Sequence, residues 1–133
     1  AFTLAFWTFL VLATIPVVRF TAYFMGRVSS NDFLLGESEK VPYRVVLHNR
    51  NYMNLLELPV LFYTIILLIY VAIPVDKVLL YSAWLYVGLR LIHSVIHLTC
   101  NHVVIRMLAF AASNFTLLFI WIYTALSVFN SQP

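Results

Sequence analysis

Four long apolar runs, separated by short polar links, constrain this chain more than anything else in it. They cover about residues 2–25, 41–73, 78–98 and 103–129. Each reaches or exceeds the roughly 20 residues that an α-helix needs to cross a hydrocarbon core. Lipid offers no partner to an unpaired backbone group, so such runs must be helical. The runs are apolar on all faces, without the alternation of a barrel strand, and this excludes a small membrane β-barrel. Only 10% of the residues are charged while 63% are hydrophobic. Soluble domains carry about a quarter charged residues, so most of this surface faces lipid or protein rather than water. The predicted fold is all-α: a four-transmembrane-helix bundle with left-handed up-down topology, one domain over residues 1–133.

The links refine that picture. Residues 26–40 contain Gly26, Ser29, Ser30, Asn31, Gly36 and Ser38 and read as a loop. Residues 73–77 and 99–102 are tight turns, which make the last three spans antiparallel neighbours. Arg27, Lys40, Arg44 and Arg50 cluster in or beside the first link and Arg106 beside the third, whereas the second has only Lys77, next to Asp76. The tendency of basic loops to stay in the cytoplasm puts links one and three inside and both termini on the non-cytoplasmic side. The net charge of +3 then reflects topology and not nucleic-acid binding. The first run lacks a basic n-region and continues past a signal-peptide length, so it reads as a span. A chain opening on Ala1 is expected to lack an initiator residue or a short leader.

Polar residues inside the spans carry the functional signal. Arg50, Asn54 and Glu57 are spaced i, i+4, i+7 and share one helical stripe. Arg90, His93 and His97 form a second stripe on the third span, with Tyr86 one turn earlier. Arg106 opens the fourth span, and Phe110, Ser113 and Asn114 follow on its face. A charge left unpaired in hydrocarbon costs several kcal/mol, so Glu57 and Arg90 must face protein or water. A buried Glu57–Arg90 ion pair that only fixes packing would meet that demand. The whole set exceeds what packing needs, and it suits a pocket for a small zwitterion or anion.

Other residues have plainer readings. His93 and His97 have metal-ligand spacing, and His48 and His102 could join them from helix ends. The set is too poor in carboxylates for a membrane di-iron centre, and interface histidines are the expected reading, with no metal. Cys100 is the only cysteine and excludes an internal disulfide. Trp7, Tyr70, Tyr81, Trp121 and Tyr123 read as interfacial belt and packing. Arg19 is expected to snorkel to the headgroups, and Asp32, Glu37 and Glu39 to be hydrated. The first span, with Arg19 as its one charge, is expected to serve as outer packing.

The pattern Arg50-x-x-x-Asn54-x-x-Glu57-x-Pro59-x-x-Phe62 resembles the signature of the MAPEG family, membrane-associated proteins in eicosanoid and glutathione metabolism. Ala83-Trp84-x-Tyr86-Val87-x-x-Arg90-x-x-His93-Ser94 and Arg106 extend the resemblance along the third and fourth spans. The stretch Glu57–Tyr63 is most similar to the family's bacterial branch, which implies a bacterial inner membrane. The resemblance implies a homotrimer that holds glutathione as co-substrate between neighbouring subunits, open to the cytoplasm. Arg50, Asn54, Glu57, Arg90, His93 and His97 would bind the peptide, and Arg106 would steady its thiolate. A guanidinium can do this because it favours the charged form of a neighbouring thiol. The chain departs from active members at His97 and Phe110, where tyrosines are common, and at Met107, where one enzyme type has serine. Those hydroxyls could bond the thiolate, so their loss bears on turnover more than on binding.

Two function classes follow. One is a glutathione-dependent transferase or peroxidase acting on a lipophilic electrophile or hydroperoxide dissolved in membrane lipid. The other is a non-catalytic trimeric scaffold or accessory subunit of a larger membrane complex.

Overall fold

Because lipid leaves the backbone nothing to bond with but itself, the apolar runs close their hydrogen bonds internally. The computed structural model of the chain describes residues 1–34 and 36–130. Its helices are α1 (Phe2–Phe24), α2 (Tyr43–Leu56), α3 (Leu58–Ala72), α4 (Lys77–Leu98) and α5 (Val103–Asn130), with one 3-10 turn at Ser30–Phe33. No strand occurs among the described residues. Four segments are long and apolar enough to cross a membrane: α1, α2 with α3, α4, and α5. They form the expected four-helix bundle, in which α5 packs along α4, α1 along α2, and α2 against α4. The end of the expected domain, residues 131–133, lies outside the described residues.

The second span is not one continuous helix. It breaks at Glu57, whose ψ of −83° departs from helical geometry, while its amide still bonds the Met53 carbonyl at 3.0 Å. Pro59 is the physical cause: it has no N–H to give the Leu55 carbonyl, and its ring crowds that carbonyl. A new helix starts with this proline in its first turn, where the missing donor costs nothing. The break sets Glu57 on the outside of the chain.

The main core joins Leu4 and Val11 of α1 to Leu55, Phe62, Ile65, Tyr86, Leu117 and Ile120. A smaller core of Ala22, Val28, Val41 and Val45 seats the first loop on α1 and α2. Outward positions such as Phe6, Phe9, Tyr70, Phe115 and Phe129 are apolar and exposed, as a lipid-facing surface requires. The first span is more than outer packing. Trp7 Nε1 donates to Ser94 Oγ at 2.8 Å, and the same oxygen accepts Asn51 Nδ2 at 2.7 Å. One hydroxyl thus pins α1 and α2 to α4.

Charges read as hydrated have structural roles. Arg19 does not simply reach for headgroups: it lies 3.9 Å from Glu37 and 4.8 Å over the Phe33 ring. Asp32 accepts the Ser29 amide at 2.8 Å, the Ser29 hydroxyl at 3.0 Å and the Ser38 hydroxyl at 2.8 Å, closing a capping box. These bonds, the Ser29 amide foremost, hold its carboxyl below the usual carboxylate range. Asp76 caps α4 by accepting the Leu79 amide at 2.8 Å, and it also accepts the Tyr123 hydroxyl at 2.5 Å. Its carboxyl is lowered by the Leu79 amide first and the Tyr123 hydroxyl second.

Candidate functional site

The α2 stripe, the end of α4 and the start of α5 meet around one open cavity of about 490 Å³. Arg50, Asn54 and Glu57 form one wall, His93 and His97 the second, and Arg106, Met107 and Phe110 the third. Six of the seven residues predicted from the spacing therefore come together. The size lies within the range of small-molecule sites. Met53 and Val103 complete the lining and were not singled out in the sequence, where nothing distinguishes them from other apolar residues.

The seventh residue, Arg90, lies behind the wall and not in it. It is fully buried, and its Nη2 donates to the backbone carbonyl of Asn54. Its guanidinium carbon sits 5.6 Å from the centre of the Phe110 ring. The Glu57–Arg90 ion pair does not form: the one salt bridge among the described residues is Arg19–Glu37. Arg90 instead serves the last turn of α2, just before the break at Glu57. Its Nε and Nη1 have no hydrogen-bond partner among the described residues.

Arg106 is aimed by the α4–α5 turn. Asn101 takes a left-handed backbone there, with φ of 45°, a conformation that asparagine tolerates better than most residues. Its Oδ1 accepts Arg106 Nη1 at 2.5 Å, and its Nδ2 donates to the Tyr43 hydroxyl at the start of α2. In the sequence the signal for this role is an asparagine in a tight turn. The imidazoles sit one turn apart, with ring centres 5.9 Å apart and planes at 89°. His93 also packs on Phe110 at 5.6 Å. Each histidine is 3% exposed; neither nitrogen of His97, nor Nδ1 of His93, finds a partner among the described residues. On the third-span stripe, Tyr86 stacks on Phe62 at 4.5 Å, and its hydroxyl has no partner among the described residues. Ser113 Oγ returns to the Phe110 carbonyl at 2.7 Å.

The remaining candidates stand apart. His48 Nδ1 lies 2.7 Å from Thr14 Oγ1, between α1 and α2. His102 and Cys100 are exposed in the turn, and a backbone hydrogen bond at His102 is the main cause holding the Cys100 thiol below its usual range. No three His, Cys, Asp or Glu side chains gather as a metal site among the described residues.

The cavity's groups can pair with both signs of charge. Two guanidinium groups suit carboxylates, the Glu57 carboxylate suits an ammonium, and the Asn54 amide serves either. Arg50 and Glu57 are exposed on the single chain, at the flank of a span.

The family model for the MAPEG family matches residues 1–126, and the chain belongs to that family. No curated protein and no solved structure matches it. The chain is therefore an integral membrane protein of a family linked to glutathione and eicosanoid metabolism.

Proposed function

From its membership of the MAPEG family, we propose that this chain is a glutathione-dependent transferase or peroxidase of the bacterial inner membrane, acting on lipophilic electrophiles or hydroperoxides. The observation that carries the reading is the convergence of Arg50, Asn54, Glu57, His93, His97 and Arg106 on one cavity. Glutathione has two carboxylates, one ammonium and one thiol. Arg50 takes a carboxylate, Glu57 the ammonium, and Arg106 lies against the sulfur and favours its thiolate. The acceptor enters from lipid beside Met107 and Phe110.

Exposed Arg50 and Glu57 would be costly against hydrocarbon, which supports a homotrimer whose neighbouring subunit covers the cavity. The basic first and third links support an orientation with the open end of the cavity in the cytoplasm and the termini on the other side. A scaffold or accessory subunit is the second reading, favoured by the apolar Met107 and Phe110 beside Arg106.

The test is calorimetric titration of detergent-purified protein with millimolar glutathione, followed by conjugation of a chloronitrobenzene acceptor. Binding with turnover is expected, and Arg106→Ala abolishes turnover while binding persists. No heat and no thermal shift would overturn the glutathione reading. Equal turnover in wild type and Arg106→Ala would remove Arg106 from the chemistry. Binding without turnover, together with a co-purifying membrane partner, would favour the accessory role.

A further inference from the structure

The charge that a bound thiol meets at Arg106 depends on the group that holds the guanidinium. Arg106 Nη1 donates to Asn101 Oδ1 at 2.5 Å. No carboxylate pairs with Arg106, since the one salt bridge among the described residues is Arg19–Glu37. The holding group is therefore neutral. A carboxylate would bind a guanidinium more strongly, but it would also offset the charge. The Asn101 amide is engaged at both ends. Its Nδ2 donates to the Tyr43 hydroxyl, and its oxygen must face the guanidinium because arginine has donors and no acceptor. Tyr43 begins α2, the helix that carries Arg50 and Asn54. One side chain thus ties the Arg106 wall of the cavity to the α2 wall.

We propose that Asn101 is a positioning residue for the thiol chemistry: its uncharged oxygen holds the Arg106 guanidinium at the cavity without cancelling the positive charge that a thiolate needs. This rests on the reading of the cavity as a glutathione site. Ionising the thiol breaks the S–H bond, sends the proton to water and leaves the electron pair on sulfur, and the thiolate is the nucleophile. A full guanidinium charge favours that state, and a guanidinium already paired with a carboxylate favours it much less. Met107 and Phe110 beside Arg106 offer no hydroxyl to share the charge, so what remains on the guanidinium matters more. The titratable and charged groups around Arg106 are Arg50 and Glu57 on the α2 wall, His93 and His97 on α4, Tyr43 at the start of α2, and Cys100 and His102 in the turn. Glu57 is the only carboxylate among them and lies outside the turn. An acid introduced at position 101 therefore changes the charge at Arg106 and leaves the other groups in place.

A simple tether and a neutral tether make opposite predictions for Asn101→Asp. The backbone at this position has φ of 45°, which aspartate tolerates as asparagine does. Aspartate is also the stronger acceptor, so a simple tether would be replaced without loss. A neutral tether would not. Asn101→Asp then raises the pH at which bound glutathione ionises by about one unit, because a nearby negative charge disfavours the thiolate while water at the half-buried turn screens part of the effect. Turnover falls about tenfold near neutral pH and returns in alkaline solution. Asn101→Gly keeps the left-handed backbone and removes the tether. Its kcat falls roughly tenfold or more even where the thiol is already ionised, because a small misplacement of a catalytic group is costly.

The experiment titrates the ultraviolet thiolate band of glutathione bound to detergent-purified wild type, Asn101→Asp, Asn101→Gly and His102→Asp. Each protein also gives a melting curve and a pH profile of kcat and KM with a chloronitrobenzene acceptor. His102→Asp adds the same charge one residue along, at an exposed position, and its midpoint should move much less. The expected result is an upward midpoint shift confined to Asn101→Asp among the acidic variants, with activity recovered at high pH. An unshifted midpoint in Asn101→Asp, an equal shift in His102→Asp, or wild-type kcat in Asn101→Gly overturns the proposal. So does a loss in Asn101→Asp that alkaline solution leaves unrelieved. If Asn101→Asp is not recovered folded, the kcat of Asn101→Gly still decides against the proposal when it matches wild type. Wild type that binds no glutathione defeats the underlying reading, and the proposal falls with it.

Discussion

Replacing Ser94 with alanine probes the bundle at the point where three helices share one oxygen. Ser94 Oγ accepts Trp7 Nε1 at 2.8 Å and Asn51 Nδ2 at 2.7 Å, and Ser94 and Asn51 are fully buried. Ser94→Ala strands both donors. A buried donor without an acceptor costs about 1–3 kcal/mol. Hydrogen bonds between helices in lipid average nearer 0.6 kcal/mol, because the unfolded chain in the membrane finds other partners. Two donors bracket a loss of about 1–6 kcal/mol, and the half-burial of Trp7 trims the top, leaving about 1–4 kcal/mol. Trp7→Phe alone should cost less, since Ser94 keeps Asn51. The decisive measurement is the double mutant. Once Ser94 is gone, removing the stranded indole N–H should cost little or even recover stability. A cycle of wild type, both single variants and the pair, followed by reversible unfolding in mixed micelles, reads the coupling directly. Additive losses would refute the shared-acceptor account, as would a Ser94→Ala cost below about 0.5 kcal/mol. The same variant should weaken ligand binding, because Ser94 follows His93 and Asn51 lies one turn before Asn54.

Further perturbations separate binding, architecture and the loop. Glu57→Gln should weaken glutathione binding about tenfold or more through loss of one charge-assisted bond, with little change in thermal stability because the side chain is exposed; calorimetry and a melting curve check both. Arg90→Ala opens a cavity and strips the Asn54 carbonyl of its donor, so about 2–4 kcal/mol of stability should be lost, read by unfolding in mixed micelles. Asp32 has a depressed folded pKa, so its contribution is present above the ordinary carboxylate range and disappears as pH falls through the lower folded value. Amide-exchange protection at Ser29 and Asp32, measured relative to the intrinsic rate at each pH, should therefore fall at acid pH in wild type, while Asp32→Asn should lack it already at neutral pH. Asp76→Ala removes the α4 cap and the Tyr123 tie, and it should lower the melting temperature and fray the first turn of α4.

The spans were legible because hydrocarbon admits so few backbone solutions: run length and uniform apolarity decide between helix and barrel before any packing is known. The stripe Arg50, Asn54 and Glu57 was legible for a similar reason, since helical periodicity fixes a shared face from spacing alone. The misreadings arise where the face was right and the depth or partner was not. Arg90 shares a stripe with His93 and His97, yet one turn along the helix carries it behind Phe110 and onto the carbonyl of Asn54. No one-dimensional pattern contains that carbonyl, because it is a backbone group at the foot of a break. Pro59 announces the break, but it cannot say that the helix yields at Glu57 and turns that carboxylate outward. Trp7 and Ser94 are 87 residues apart, and their bond exists only once α1 has a place in the bundle. The site therefore depends on three placements that the sequence leaves open: the break that exposes Glu57, the cation that secures its last turn, and the asparagine turn that holds Arg106. Each is a local backbone event closed by a distant side chain. Losing any one should therefore disturb ligand affinity before it disturbs the number of spans.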